Sequence, residues 1–272
     1  MTRGPIRRGL RARYLVALFA APAVLIVPAA DAAELVDAAK RGDAATVVAL
    51  LDARTDANEP AADGTTALHW AVRHNDIDLA TRLIAAGADA TAANRYGVTP
   101  LYLAALNGSA TMIDVLLEAG ADPNEISNVG ETVLMTAAQT GVVAAAEALI
   151  AAGADVDARE DWHGQTALMW AAAEGHVDMV AALLEAGAEV DALTDVVEWE
   201  RQSSDEPRAK WLPPGGFTAL LLAAREGCTG CIPVLVEAGA DVNATTAEDI
   251  SGVVLALING YYDTAMALLE AG

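Results

Sequence analysis

Residues 164–187 read GQTALMWAAAEGHVDMVAALLEAG, and their apolar positions follow a helical period twice, with a break between. Leu168, Ala171 and Ala172 share one face of a two-turn segment, Ala167 to Glu174. Thr166, just before it, can cap that segment by accepting from the free N–H groups of the first turn. Gly175 ends it, because the left-handed residue that closes a helix costs least as glycine. Asp178 favours the start of a second helix, where a negative charge meets the positive end of the helix dipole. Val180, Leu183 and Leu184 form the apolar stripe of that helix, and Gly187 ends it. The pattern predicts two short helices, followed by a polar, turn-prone connection.

The unit recurs. AGAD or AGAE places its glycine at Gly87, Gly120, Gly153, Gly187 and Gly239, and the chain stops at Gly272, so the intervals are 33, 33, 34, 52 and 33. A second marker keeps step: TTALHWA at 65–71, VTPLYLA at 98–104, ETVLMTA at 131–137, QTALMWA at 165–171 and FTALLLA at 217–223. The interval of 52 is 33 plus 19, so LTDVVEWERQSSDEPRAKWLPPGG (Leu193 to Gly216) carries an insertion, placed at 194–213, after which the rhythm resumes in phase. Two short helices cannot bury both of their faces alone, so each unit must stack on the next. Alanine and leucine dominate a chain that is 54% hydrophobic with 4% aromatics, which also favours helix. The expected fold is an all-α solenoid.

TALH at 66–69, TPLY at 99–102, GH at 175–176, LLEAGADPN at 116–124 and LVEAGADVN at 235–243 resemble the ankyrin repeat. The resemblance covers residues 34–272, with a degenerate first unit from Glu34 and a seventh from near Asp249. It implies stacked helix-turn-helix units with β-turn fingers along one edge, and a non-catalytic protein–protein interaction module or scaffold. Partners of such proteins meet the finger tips and the exposed side of the first helix. Carried over position by position, that surface comprises Arg73, His74, Arg95, Tyr96, Leu106, Asn107, Gln139, Trp162, His163, Glu174, Phe217, Arg225 and Glu226. Leu106 and Phe217 read equally well as packing residues. Trp70 and Trp170 are expected in the core, and His69 is expected to hydrogen-bond within the turn network, as the histidine of the family's motif does.

The N-terminus has a different character. MTRGPIRRGLRAR holds five arginines and no acid, YLVALFAAPAVLIVPAA is apolar, and small residues follow at Ala30 and Ala32. Residues 1–32 are therefore expected to be a secretory signal peptide, with residues 33–272 as the ankyrin-repeat domain. An uncleaved anchor is the alternative, and Arg7-Arg8 leaves Sec and twin-arginine export both open. With this leader, REGCTGC and INGYYD make the chain similar to exported bacterial ankyrin-repeat proteins, which implies a periplasmic or secreted location.

Charge narrows the partners. The whole chain carries −22; residues 33–272 hold 11 basic and 37 acidic residues, or −26. Such a surface repels nucleic acid, whose phosphates need Lys and Arg, and anionic membranes as well. It suits a protein or peptide with a basic surface.

Catalytic and metal chemistry finds little support in the sequence. Cys228-Thr-Gly-Cys231 is the only cysteine pair, and it reads as a local disulfide, as reduced packing cysteines or as a redox pair outside its usual βαβ setting. His176 holds the register of Cys228 one unit earlier, but one His and two Cys fall short of a structural zinc set. No cofactor is expected. The insertion is either a tolerated loop whose tryptophans clamp its own base or a partner-binding arm with Trp199, Arg201 and Trp211 as anchors. Leu255, Leu257, Met266 and Leu269 give the last unit no polar outer face. That implies a fragment of a longer array, such as the targeting or inhibitory arm of an enzyme extending beyond Gly272, or else a terminal repeat that covers its own edge or pairs with another copy.

Overall fold

The computed structural model describes residues 29–196 and 215–272, and all the regular elements among them are helices. They form seven pairs. Helix α1 (Ala29–Lys40) pairs with α2 (Ala44–Asp52), α3 (Ala67–Arg73) with α4 (Ile77–Ala85), and α5 (Pro100–Leu106) with α6 (Ala110–Glu118). Then α7 (Val133–Thr140) pairs with α8 (Val143–Ala151), α9 (Ala167–Glu174) with α10 (Val177–Glu185), and α11 (Ala219–Glu226) with α12 (Cys231–Glu237). The last pair is α13 (Gly252–Ile258) with α14 (Tyr262–Ala271). The bounds of α9 follow from its caps. Thr166 Oγ1 accepts from the Met169 N–H at 3.4 Å, and Gly175 takes the left-handed conformation with φ 79°.

First helices pack on first helices and second helices on second helices, so the stack has two layers. Both layers bury leucines, Leu68, Leu101, Leu134, Leu168 and Leu220 in first helices and Leu83, Leu116, Leu149, Leu183 and Leu235 in second, and the first helices add alanine pairs such as Ala104-Ala105, Ala137-Ala138 and Ala171-Ala172. The first helices approach one another more closely than the second, which makes their side the inner face of the stack. A continuous apolar core runs from Leu35 to Leu268.

The fingers between pairs close by a repeated device. The main-chain N–H of Asn94 donates to Val98 O (3.0 Å), that of Ser127 to Glu131 O (2.8 Å), and that of Thr246 to Ile250 O (3.0 Å). In return the same three side chains accept from the N–H groups of Val98, Glu131 and Ile250. The insertion leaves this closure in place, between Thr194 and Phe217. The lengthened finger is therefore the stretch between Thr194 and Phe217. Trp199, Arg201 and Trp211 lie outside the described residues.

At the far end of the stack, Leu257, Met266 and Leu269 are exposed as expected. Leu255 is buried as part of the core.

Candidate functional site

The inner face is built from the last turns of the first helices, at one register per repeat. Lys40, Arg73, Leu106, Gln139, Ala173, Arg225 and Ile258 form one column, and Arg41, His74, Asn107, Thr140, Glu174, Glu226 and Asn259 form its neighbour. Most of these side chains are exposed; Thr140, Ala173 and Arg225 are half-buried. Lys40, Arg41 and Arg73 gather at the N-terminal end of the columns, and toward the other end stand Glu174 and the paired Arg225 and Glu226.

Trp70 organises the cationic end. Lys40 Nζ lies 5.4 Å and Arg73 Cζ 5.9 Å from its ring centroid, and the His74 ring stacks on it at 6.1 Å. Trp70 and Trp170 are both half-buried against the core. The Trp170 Nε1–H is enclosed with no hydrogen-bond partner among the described residues.

His74 and Asn107, both expected to meet a partner, also clamp the stack, and so does His176. His74 Nε2 donates to Lys40 O (3.1 Å), Asn107 Nδ2 to Val72 O (2.8 Å) and His176 Nε2 to Gln139 O (3.0 Å). Each acceptor is a carbonyl near the end of the preceding unit's first helix, where no intrahelical partner exists. The Gln139 side chain itself stays exposed, and so does Glu174. Arg225 pairs with Glu226 at 2.7 Å, and its guanidinium sits 5.1 Å over the Phe217 ring. Phe217 is only 4% exposed. It closes the finger base and packs under Arg225, so it offers no surface to a partner, which corrects its place among the contact residues.

On the finger edge, Arg95, Tyr96, Trp162 and His163 are exposed. The Arg95 guanidinium turns back onto the Ala62 carbonyl, and the Trp162 and His163 rings meet edge to face at 6.3 Å. Their turn is held by the buried Glu160 carboxylate, which accepts from the N–H groups of Trp162, His163 (2.8 Å) and Gln165 (3.1 Å). His69 is buried. It receives the Thr66 N–H on Nδ1 (3.1 Å) and donates from Nε2 to Val98 O (3.0 Å), tying one capping turn to the next repeat.

The structure joins Cys228 and Cys231 in a disulfide at the turn between α11 and α12. Among the described residues no three His, Cys, Asp or Glu side chains converge in a way that could hold a metal ion. Likewise, no described helix is long and apolar enough to cross a membrane.

The family model described as "Ankyrin repeats (3 copies)" matches residues 35–127 and 123–194, and the one described as "Ankyrin repeat" matches 215–247. The chain belongs to the ankyrin-repeat family. Among solved structures, the human ASB11 ankyrin repeat domain is 26% identical, with a TM-score of 0.72 over 88% of this chain and 97% of that one. No curated protein sequence matches. The insertion falls between the two matched blocks, 123–194 and 215–247, so the ankyrin pattern is interrupted where the finger is lengthened.

Two sets of surface residues escaped the sequence reading. Lys40 and Arg41 belong to the inner columns but lie in the degenerate first unit, which carries none of the motif words. Val129 and Val196 lie on finger tips and look unremarkable singly. Register gives them away, because each sits nine residues beyond an AGAD or AGAE glycine, as Tyr96 and Trp162 do.

Proposed function

We propose that this ankyrin-repeat chain is an exported, non-catalytic module that binds a protein or peptide across its inner helix face and fingers. The observation that carries this reading is the pair of largely exposed columns, in register over all seven units, with Lys40, Arg41 and Arg73 gathered at one end. A face charged at one end selects the orientation of its partner as well as its shape. Because the columns stand on a packed stack, little ordering entropy is lost on binding. Export draws its support from the basic-then-apolar residues 1–32 and from the Cys228–Cys231 disulfide, which is the form expected in an oxidising compartment. A second reading, an arm of a longer enzyme, draws on the uncovered Leu257, Met266 and Leu269; sequencing the transcript past the Gly272 codon separates it from the first.

Site-specific photocrosslinking in the native cell tests the binding face. A crosslinker at Arg73, Gln139 or Glu174 should capture one common protein, while the same group at Thr81 or Glu147, exposed on second helices, should not. Equal capture from both faces, or none from the inner one, would overturn the reading. Fusing residues 1–40 to a reporter active only outside the cytoplasm tests export.

A further inference from the structure

Four successive finger tips expose an apolar side chain at one register: Tyr96 (66% exposed), Val129 (49%), Trp162 (72%) and Val196 (54%). Single exposed apolar residues are ordinary, but here they recur at one register on four neighbouring fingers. The same register holds Asp63 before the row and Glu248 after it, so the patch is apolar only in the middle of the stack. Between its first two members lies a narrow cleft lined by Tyr96, Val98, Tyr102, Asn128 and Val129, open to solvent and bordered by both apolar tips.

The fingers around the row are acidic. Among the described residues, Glu131, Asp161, Asp195, Asp63 and Glu248 stand on or beside it, against two cations, Arg95 and Arg159. Both guanidiniums are turned inward. Arg95 binds the Ala62 carbonyl, and Arg159 binds the Leu193 carbonyl and the Asp195 carboxylate at 2.8 Å. Among the described residues, the fingers therefore present aromatic and aliphatic tips beside carboxylates, with both of their guanidiniums already bonded.

We infer that the Tyr96–Val129–Trp162–Val196 row docks a protein segment whose apolar side chains are flanked by lysine or arginine, an apolar residue of that segment entering the cleft between Tyr96 and Val129. Charge complementarity chooses this partner over an acidic or purely apolar one, and Tyr and Trp are the residue types that anchor such contacts. The inference rests on the reading of the chain as a protein-binding module and assigns the chemistry of its partner.

Selecting a random-sequence peptide library on phage against the full chain tests it. Enriched peptides should combine Lys or Arg with aromatic or aliphatic residues, and a synthetic copy should bind more weakly as salt rises. Tyr96→Ser and Trp162→Ser should each weaken that copy about tenfold or more, with circular dichroism melting curves unchanged because both side chains are exposed. An acidic or uncharged consensus overturns the inference. So does binding that survives both finger variants; if it is instead lost in Arg73→Ala and Glu174→Ala, the inner helix face is the site and the protein-binding reading stands alone. Failure to enrich any sequence counts against both.

Discussion

Thr194 and Phe217 exchange two hydrogen bonds, Thr194 N–H to Phe217 O and Phe217 N–H to Thr194 Oγ1, each 2.9 Å, across a separation of 23 residues. Thr246 and Ile250 form the same pair of bonds across four. The lengthened finger thus keeps the closure of an ordinary one. Both of its stems are also tied to neighbours, Asp195 N–H to His163 O at 2.7 Å and Ala247 N–H to Gly215 O at 3.3 Å.

Deleting residues 197–215 should therefore restore a standard finger. It leaves Thr194-Asp195-Val196-Gly216-Phe217 in the register of Thr246-Ala247-Glu248-Asp249-Ile250, with Gly216 (φ 72°) where Asp249 (φ 60°) stands. Loop closure costs about 0.6 kcal/mol per doubling of length, so the shortened chain should gain about 1–1.5 kcal/mol. Urea unfolding reads this directly. A loss of more than about 1 kcal/mol would mean that the excursion holds its own base together.

Much of this was legible in the sequence because it is carried by local rules. Thr166 and Gly175 bound α9 through capping chemistry that any reader of the chain can apply. The layers followed from the period, since neither helix of a pair can bury its stripe alone. What stayed hidden depends on contacts between a finger and its helix or between one repeat and the next. Phe217 looks like a surface aromatic until Arg225 is placed over its ring. His74 and Asn107 look like free polar groups until the carbonyls of Lys40 and Val72 are brought to them.

A second consequence concerns Arg54, which has φ 65° at the place where the later units put Gly87, Gly120, Gly153, Gly187 and Gly239. A left-handed conformation costs a residue with a Cβ about 1–2 kcal/mol, and the extra freedom of glycine in the unfolded chain offsets part of that. Arg54→Gly should stabilise the chain by about 0.5–1 kcal/mol, mostly in its first unit. Hydrogen exchange should show slower opening of α1 and α2, and unchanged or faster exchange there would refute the assignment of strain.

The edge where each second helix turns into its finger offers a paired comparison. Asn124 donates from Nδ2 to Gly153 O (3.0 Å) and accepts the Asp155 N–H on Oδ1 (2.8 Å). One unit later Asp157 accepts the Glu189 N–H at 2.8 Å but has no donor for Gly187 O. Asp157→Asn should supply that bond and remove one negative charge from an acidic edge, for a gain of about 0.5–1.5 kcal/mol. Asn124→Asp should lose a similar amount. Opposite signs in urea unfolding support the clamp; two neutral results would dismiss it.

His69 makes stability depend on pH. Burial pushes its pKa below the ordinary 6.5, and the bond to Val98 O only partly opposes this. The neutral ring is the folded form, since Nδ1 already receives the Thr66 N–H. Below pH 6.5 the unfolded chain takes up a proton that the folded chain refuses. The contribution of His69 is thus complete above pH 6.5, falls as the pH drops toward the lowered folded value, and is constant below it. Glu125 has the opposite sense. Burial raises its pKa above the ordinary 4.5 despite the hydrogen bond from Thr99, so its penalty is absent below pH 4.5 and grows as the pH rises through the raised value. The unfolding free energy of the wild type minus that of His69→Gln should therefore fall between pH 7 and pH 5. The corresponding difference for Glu125→Gln should grow more unfavourable to the wild type from pH 4 toward pH 7. A His69→Gln difference that does not change with pH would show that the buried ring does not titrate differently in the folded and unfolded chains.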